Sequence, residues 1–186
     1  IRHPQVRANV AGWVAYQPPH DGSILADIIQ GHIKLRGPTQ AFLALLHGTG
    51  LAIADMSTRS RSVFNHSNHF DIIGITRTFP IVTLLTTEDP ARLSDYVFGD
   101  KAKSAFLGPF VSVISDRDTS PLNDGIASVH GTCLDLATCV YLTGIDHFDS
   151  VMNTAPFKSL SPSDRVTLFR TLLQMLSQRI QIKTEE

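Results

Sequence analysis

A chain of 186 residues, 42% of them hydrophobic, is long enough for one domain with a sizeable core, burying roughly 70% of its unfolded surface. The 16 Lys and Arg against 17 Asp and Glu leave a formal net charge of −1, with no block of like charge. Nothing here offers an electrostatic footprint for nucleic acid or an anionic membrane, and no apolar run approaches the roughly 18 residues of a spanning helix.

The chain opens on Ile1 without the charged and apolar regions of a signal peptide. A removed leader and a truncated, longer chain both fit. Trp13 to Tyr16 reads as a short strand. Asp21-Gly22-Ser23 supplies an N-cap for a short helix over Ile24 to Ile29, which Gly31 ends. His32 to Arg36 alternates as a strand with one buried face. Pro38 to His47 is rich in Ala and Leu and reads as a helix, with Gly48 at its C′ position. Leu45-Leu46-His47-Gly48-Thr49-Gly50 resembles the oxyanion turn of α/β hydrolases. The helix reading removes that meaning and no G-x-S-x-G elbow occurs, so this hydrolase class is set aside.

Leu51 to Ala54 is expected as a strand ending in Asp55, and Ser57 through His69 as a long polar loop. Asp71 to Thr76 and Pro80 to Thr86 follow as strands. Glu88-Asp89-Pro90 opens a helix that runs to Gly99, with a shorter helix over Lys101 to Phe106. Phe110 to Ile114 is an apolar strand, followed by a turn-forming loop from Ser115 to Gly125. Ile126 to Val129 reads as a strand leading into Cys133, and Leu134 to Leu142 as a helix ended by Gly144. Ser161-Pro162-Ser163-Asp164 signals the start of a last helix. Its apolar face is Val166, Phe169, Leu172, Leu173, Leu176 and Ile180. This alternation predicts a single layered α/β domain over residues 1–186, with a mixed, partly parallel sheet flanked by helices.

In such a fold, ligands sit at the carboxyl ends of the strands, and three constellations bear on chemistry. The first is Cys133, expected at a helix N-terminus where the dipole favours thiolate. Asp55 would take its proton and Lys103 would stabilise charge. Leu51-Ala-Ile-Ala-Asp55-Met56, Asp100-Lys-Ala-Lys103-Ser-Ala-Phe106 and Gly131-Thr-Cys133-Leu-Asp-Leu-Ala-Thr138 resemble the aspartate, lysine and cysteine segments of isochorismatase-like cysteine hydrolases. The resemblance covers three short patches, and it implies a hydrolase with an Asp, Lys and Cys site. A bridge to Cys139 is not expected, since residues six apart lie on different faces of one helix. Two buried thiols point to a reducing, cytoplasmic compartment.

The second constellation is acidic. Asp116 and Asp118 follow an apolar strand and, with Asp55, Glu88 and Asp89 at other strand ends, would hold a divalent metal such as Mg²⁺. Val113-Ile-Ser-Asp116-Arg-Asp118-Thr119 resembles the DxDxT motif of haloacid-dehalogenase-like phosphatases, although most of the sheet precedes it here. The third is His66-x-x-His69-x-Asp71, with His147 and Asp149 as a distant complement, a donor set suited to Zn²⁺ or Fe²⁺.

The leading expectation is a small hydrolase acting on a carbonyl or amide centre without a cofactor, with a small-molecule or peptide substrate. Metal-assisted hydrolysis by Asp55, Asp116 and Asp118 is the second enzymatic reading. The competing class is a non-catalytic interaction domain of a larger protein, such as a viral polyprotein. Neither nucleic acid nor membrane is expected as a partner, and a homo-oligomer would form through the C-terminal helix.

Overall fold

The computed structural model describes residues 8–31, 50–87, 114, 122–145, 147, 150 and 160–185. Three strands among them form one parallel sheet in the order β1 (Trp13–Tyr16), β2 (Ile81–Thr87), β3 (Thr138–Thr143). Five helices accompany it among the described residues. They are α1 (Ile24–Ile29), α2 (Gly50–Asp55), α3 (Thr58–Ser67), α4 (His69–Thr78) and α5 (Pro162–Glu185). The layered α/β architecture expected from the alternating pattern is present, and all described strand pairs are parallel.

Every residue of β2 is buried, as its apolar run requires of a central parallel strand covered on both faces. The register sets Val14 beside Val82 and Tyr16 beside Leu84, with Leu84 beside Val140. The strand period of two therefore gathers Val14, Tyr16, Val82, Leu84, Val140 and Leu142 onto one face. Helix α5 closes that face with Leu172 and Leu176, which are buried in a cluster with Val82 and Leu84. The approach is close: a side chain on Gly12 would begin 2.8 Å from Leu176 Cδ1 and 3.0 Å from the Pro80 carbonyl. The start of α5 is a reciprocal cap. Ser161 Oγ accepts the Asp164 N–H at 3.1 Å, and the Asp164 carboxylate accepts the Ser161 N–H at 3.3 Å.

Of the apolar face read into α5, Leu172 and Leu176 are buried inside the chain and Ile180 is partly buried. Val166, Phe169 and Leu173 remain about half exposed, and of the predicted face this stripe is left for the expected homo-oligomer contact.

Ser23 caps α1 as the sequence predicts, its Oγ accepting the Ala26 N–H at 3.4 Å. The same hydroxyl donates to the Ile126 carbonyl, which ties α1 to the loop before β3. Asp27 is buried and accepts both the N–H (3.1 Å) and the hydroxyl (2.6 Å) of Thr58, so the start of α3 is fixed to α1. Gly22, at φ +99°, packs where a Cβ would meet Thr58 Cα at 2.6 Å. Glycine alone fits both the conformation and the space.

Several expected elements differ. Residues 51–55 are helical, within α2, and the polar stretch after Ser57 is helix α3. Ser57 initiates α3 by accepting the Ser60 N–H at 3.2 Å, so a run composed like a loop had a cap at its head. The strand expected over Asp71 to Thr76 lies within α4; a short apolar run does not separate helix from strand by periodicity alone. Leu134 to Leu142 is a turn followed by β3, because Thr138-Cys-Val-Tyr is a β-branched and aromatic run that fits a pleated sheet. The strand over His32 to Arg36 and the helices over 38–48, 88–99 and 101–106 lie outside the described residues. So does the strand over 110–114, apart from the buried Ile114.

Candidate active site: an acid–histidine pair at the strand ends

The carboxyl ends of all three strands meet at a belt of buried polar side chains: Gln17 after β1, Thr86 near the end of β2, Asp124 between β2 and β3, and Ser150 beyond β3. Asp124 is 2% exposed, and a buried carboxylate needs partners on both oxygens. Its Oδ1 accepts the N–H groups of Ile126 (3.0 Å) and Ala127 (2.8 Å), wrapped by a turn in which Gly125 takes φ +87°. Neighbouring Asn123, also buried, accepts the Gly125 N–H at 2.9 Å. Asp124 Oδ2 accepts the Thr86 hydroxyl at 2.9 Å and stands 2.8 Å from His147 Nδ1.

His147 follows β3 by a short turn. Gly144, at φ +74°, and Ile145 both donate backbone N–H groups to the Thr87 carbonyl, at 2.8 and 3.3 Å. The His147 N–H then donates to the Asp124 carbonyl at 3.0 Å. In the tautomer whose Nδ1–H donates to Asp124, the lone pair sits on Nε2. That is the arrangement of a general base whose tautomer is set by a buried carboxylate.

The sequence-predicted residues are distributed otherwise. Cys133 is joined to Cys139 in a disulfide, with Cα atoms 6.1 Å apart. The bridge runs from a turn to β3, so the single-helix argument against it does not apply, and a bridged sulfur offers no thiolate. Asp55 is exposed at the end of helix α2 instead of a strand. Lys103, Asp116 and Asp118 lie outside the described residues, as do Glu88, Asp89 and Asp149. His66 and His69 are exposed on two different helices, α3 and α4. Among the described residues no group of three His, Cys, Asp or Glu is placed to hold a metal.

Apart from the pair, a cavity of about 500 Å³ lies between β1, α3 and α4, with Trp13, His20, Arg61, Phe64, Ile72 and Leu134 among its lining residues. Among the described residues, His20 Nε2 is buried without a hydrogen-bond partner. Burial, then the Arg61 charge, lower the His20 pKa from 6.5 to about 4, so this ring is neutral near pH 7.

No protein-family model matches the chain, and no curated protein matches it. Two solved structures do. The metagenomic carboxyl esterase MGS0156 aligns with a TM-score of 0.61 at 17% identity, over 98% of this chain and 51% of its own. The Bacillus licheniformis lipase BlEst2 in mature form aligns with a TM-score of 0.54 at 20% identity, over 78% of this chain and 51% of its own. The layered α/β fold is shared with these two structures. At this identity the likeness speaks for fold alone, and the chain spans about half the length of either neighbour. The G-x-S-x-G elbow is one local turn whereas the sheet carries the fold, so its absence from this sequence does not exclude the shared fold. No described helix is long and apolar enough to cross a membrane.

Proposed function

We propose that this chain carries the acid–base half of a carboxylic-ester hydrolase, with His147 as general base and Asp124 as the carboxylate that orients it. The observation that supports this is the 2.8 Å contact between buried Asp124 Oδ2 and His147 Nδ1 at the carboxyl ends of a parallel sheet. The two structural neighbours are a lipase and a carboxyl esterase. In this fold the catalytic residues follow in the chain order nucleophile, acid, histidine, and Asp124 precedes His147 in that order.

His147 Nε2 takes the proton from a serine hydroxyl as its oxygen attacks the ester carbonyl carbon. The resulting imidazolium is stabilised by Asp124 and returns the proton to the departing alkoxide; water then repeats the cycle on the acyl-enzyme. Chain order places the serine before Asp124. Among the described residues β1 is an edge strand, and a strand added there in parallel would end beside Gln17, at the belt. The disulfide Cys133–Cys139 supports maturation in an oxidising compartment, in place of the cytoplasmic expectation, and stands against a thiol mechanism.

The test is hydrolysis of p-nitrophenyl butyrate by the protein that carries this chain, wild type against His147→Ala. The reading predicts turnover in the wild type and a fall to the residual rate in the variant. Equal rates would refute it.

A further inference from the structure

We propose that Gln17 and Ser150 are positioning residues for the Asp124–His147 pair, locking the ends of all three strands through one chain of directed hydrogen bonds; this rests on the reading above. The direction follows from counting protons. The Thr86 hydroxyl has one hydrogen, and it goes to Asp124 Oδ2 at 2.9 Å. Thr86 Oγ1 must then accept from its other partner, which is Gln17 Nε2. That contact fixes which end of the amide faces Thr86 and leaves Gln17 Oε1 to accept the Ser150 hydroxyl at 2.8 Å. Donors therefore run Ser150 to Gln17 to Thr86 to Asp124, and the His147 ring closes on the same carboxylate oxygen. Ser150 lies three residues beyond His147, its Oγ 3.3 Å from the His147 carbonyl, and its own carbonyl is 3.5 Å from the Tyr16 hydroxyl.

Two further observations single out Gln17. It is 3% exposed, as buried as Thr86 (3%) and Ser150 (2%), so its amide has no water to fall back on. Its φ is +48°, a left-handed conformation uncommon for a residue with a side chain, while its N–H keeps a 2.9 Å bond to the Leu84 carbonyl. A glycine would adopt that backbone more readily and would have no amide. A non-glycine held in that region is a strain that surrounding contacts sustain, and the contacts here lead to the acid–histidine pair.

The test is the proton resonance of His147 Nδ1–H, followed by NMR with its exchange rate in the protein that carries this chain. It reports the pair without requiring turnover. Wild type is expected to show a protected downfield resonance, and Asp124→Asn to lose it. Gln17→Glu keeps the size of the side chain and its acceptor for Ser150 but cannot donate to Thr86, so the resonance is expected to be lost. Gln17→Gly, which relieves the backbone, is expected to lose it as well, and serves if the Glu variant does not fold. Ser150→Ala is expected to lose the protection and Ser150→Thr to keep it. A wild-type resonance and exchange rate in folded Gln17→Glu, Gln17→Gly and Ser150→Ala would overturn the positioning role and leave the pair standing. No such resonance in the wild type would overturn the pair itself.

Discussion

Asp124 holds His147 at two points: its carboxylate meets the imidazole Nδ1 at 2.8 Å, and its backbone carbonyl accepts the His147 N–H at 3.0 Å. Ring and main chain are thus fixed to one residue, which is itself held by two backbone N–H groups and a threonine hydroxyl. Under the proposed reading, a base supported this way would be oriented before substrate arrives, and orientation of reacting groups is a large share of catalytic rate.

Removing the carboxylate exposes its structural share. Asp124→Ala leaves the Ile126 and Ala127 N–H groups and the Thr86 hydroxyl without their acceptor. Unsatisfied buried donors cost about 1–3 kcal/mol each, so a loss of about 3 kcal/mol is expected. Urea denaturation checks it as a lower midpoint at unchanged slope.

Helix α5 makes a sharper comparison, because adjacent leucines, about 100° apart around the helix, differ in burial. Leu172 is fully buried and Leu173 is 46% exposed. Leu172→Ala is expected to destabilise by about 2–5 kcal/mol, and Leu173→Ala to stay within about 0.5 kcal/mol. Equal losses in denaturant melts would mean that the Leu173 stripe is also covered, as by a second copy.

The two cysteines give a chemical prediction. Thiol titration of the unfolded, unreduced protein should find no free thiol, and Cys133 should resist alkylation at every pH until a reductant is added. In the loop-entropy account a bridge across so short a segment contributes about 2 kcal/mol, so reduction should lower stability by about that much. Two titratable thiols would restore Cys133 as a candidate nucleophile.

Acid should weaken the fold through His20. Its folded pKa is about 4 against 6.5 when free, so between those values the unfolded chain binds the extra proton. Stability then rises with pH across that window. The contribution is whole above pH 6.5 and is lost progressively as pH falls toward 4. His20→Gln should flatten this part of the melting-temperature profile; an unchanged slope would assign it to other groups.

Legibility of the chain followed how local each cause is. Ser23 and Ser161 cap helices through atoms a few residues away, and the run Ile81 to Thr86 can hardly be other than a buried strand; all three were readable. Asp71 to Thr76 and Thr138 to Leu142 were each read as the opposite element, because packing against the rest of the fold decides between helix and strand for short apolar runs. The acid–histidine pair was missed for a related reason. Asp124 lies in a segment composed as a turn, and the sequence offers His147 only as a distant complement to a metal site. The available signal was the Asn123-Asp124-Gly125 turn before one strand and a histidine shortly after it, in the chain order an α/β hydrolase uses. That signal carries little weight until Leu134 to Leu142 is known to contain a strand.

The most direct test of the central claim is kcat and KM for ester hydrolysis by the protein carrying this chain, wild type against Asp124→Asn. Asparagine keeps the size and the acceptor for the Ile126 and Ala127 N–H groups but turns an amide nitrogen toward His147, which forces the wrong tautomer. A fall in kcat of about 10⁴-fold with KM little changed is the predicted result. Wild-type kcat in a folded Asp124→Asn protein would contradict the account.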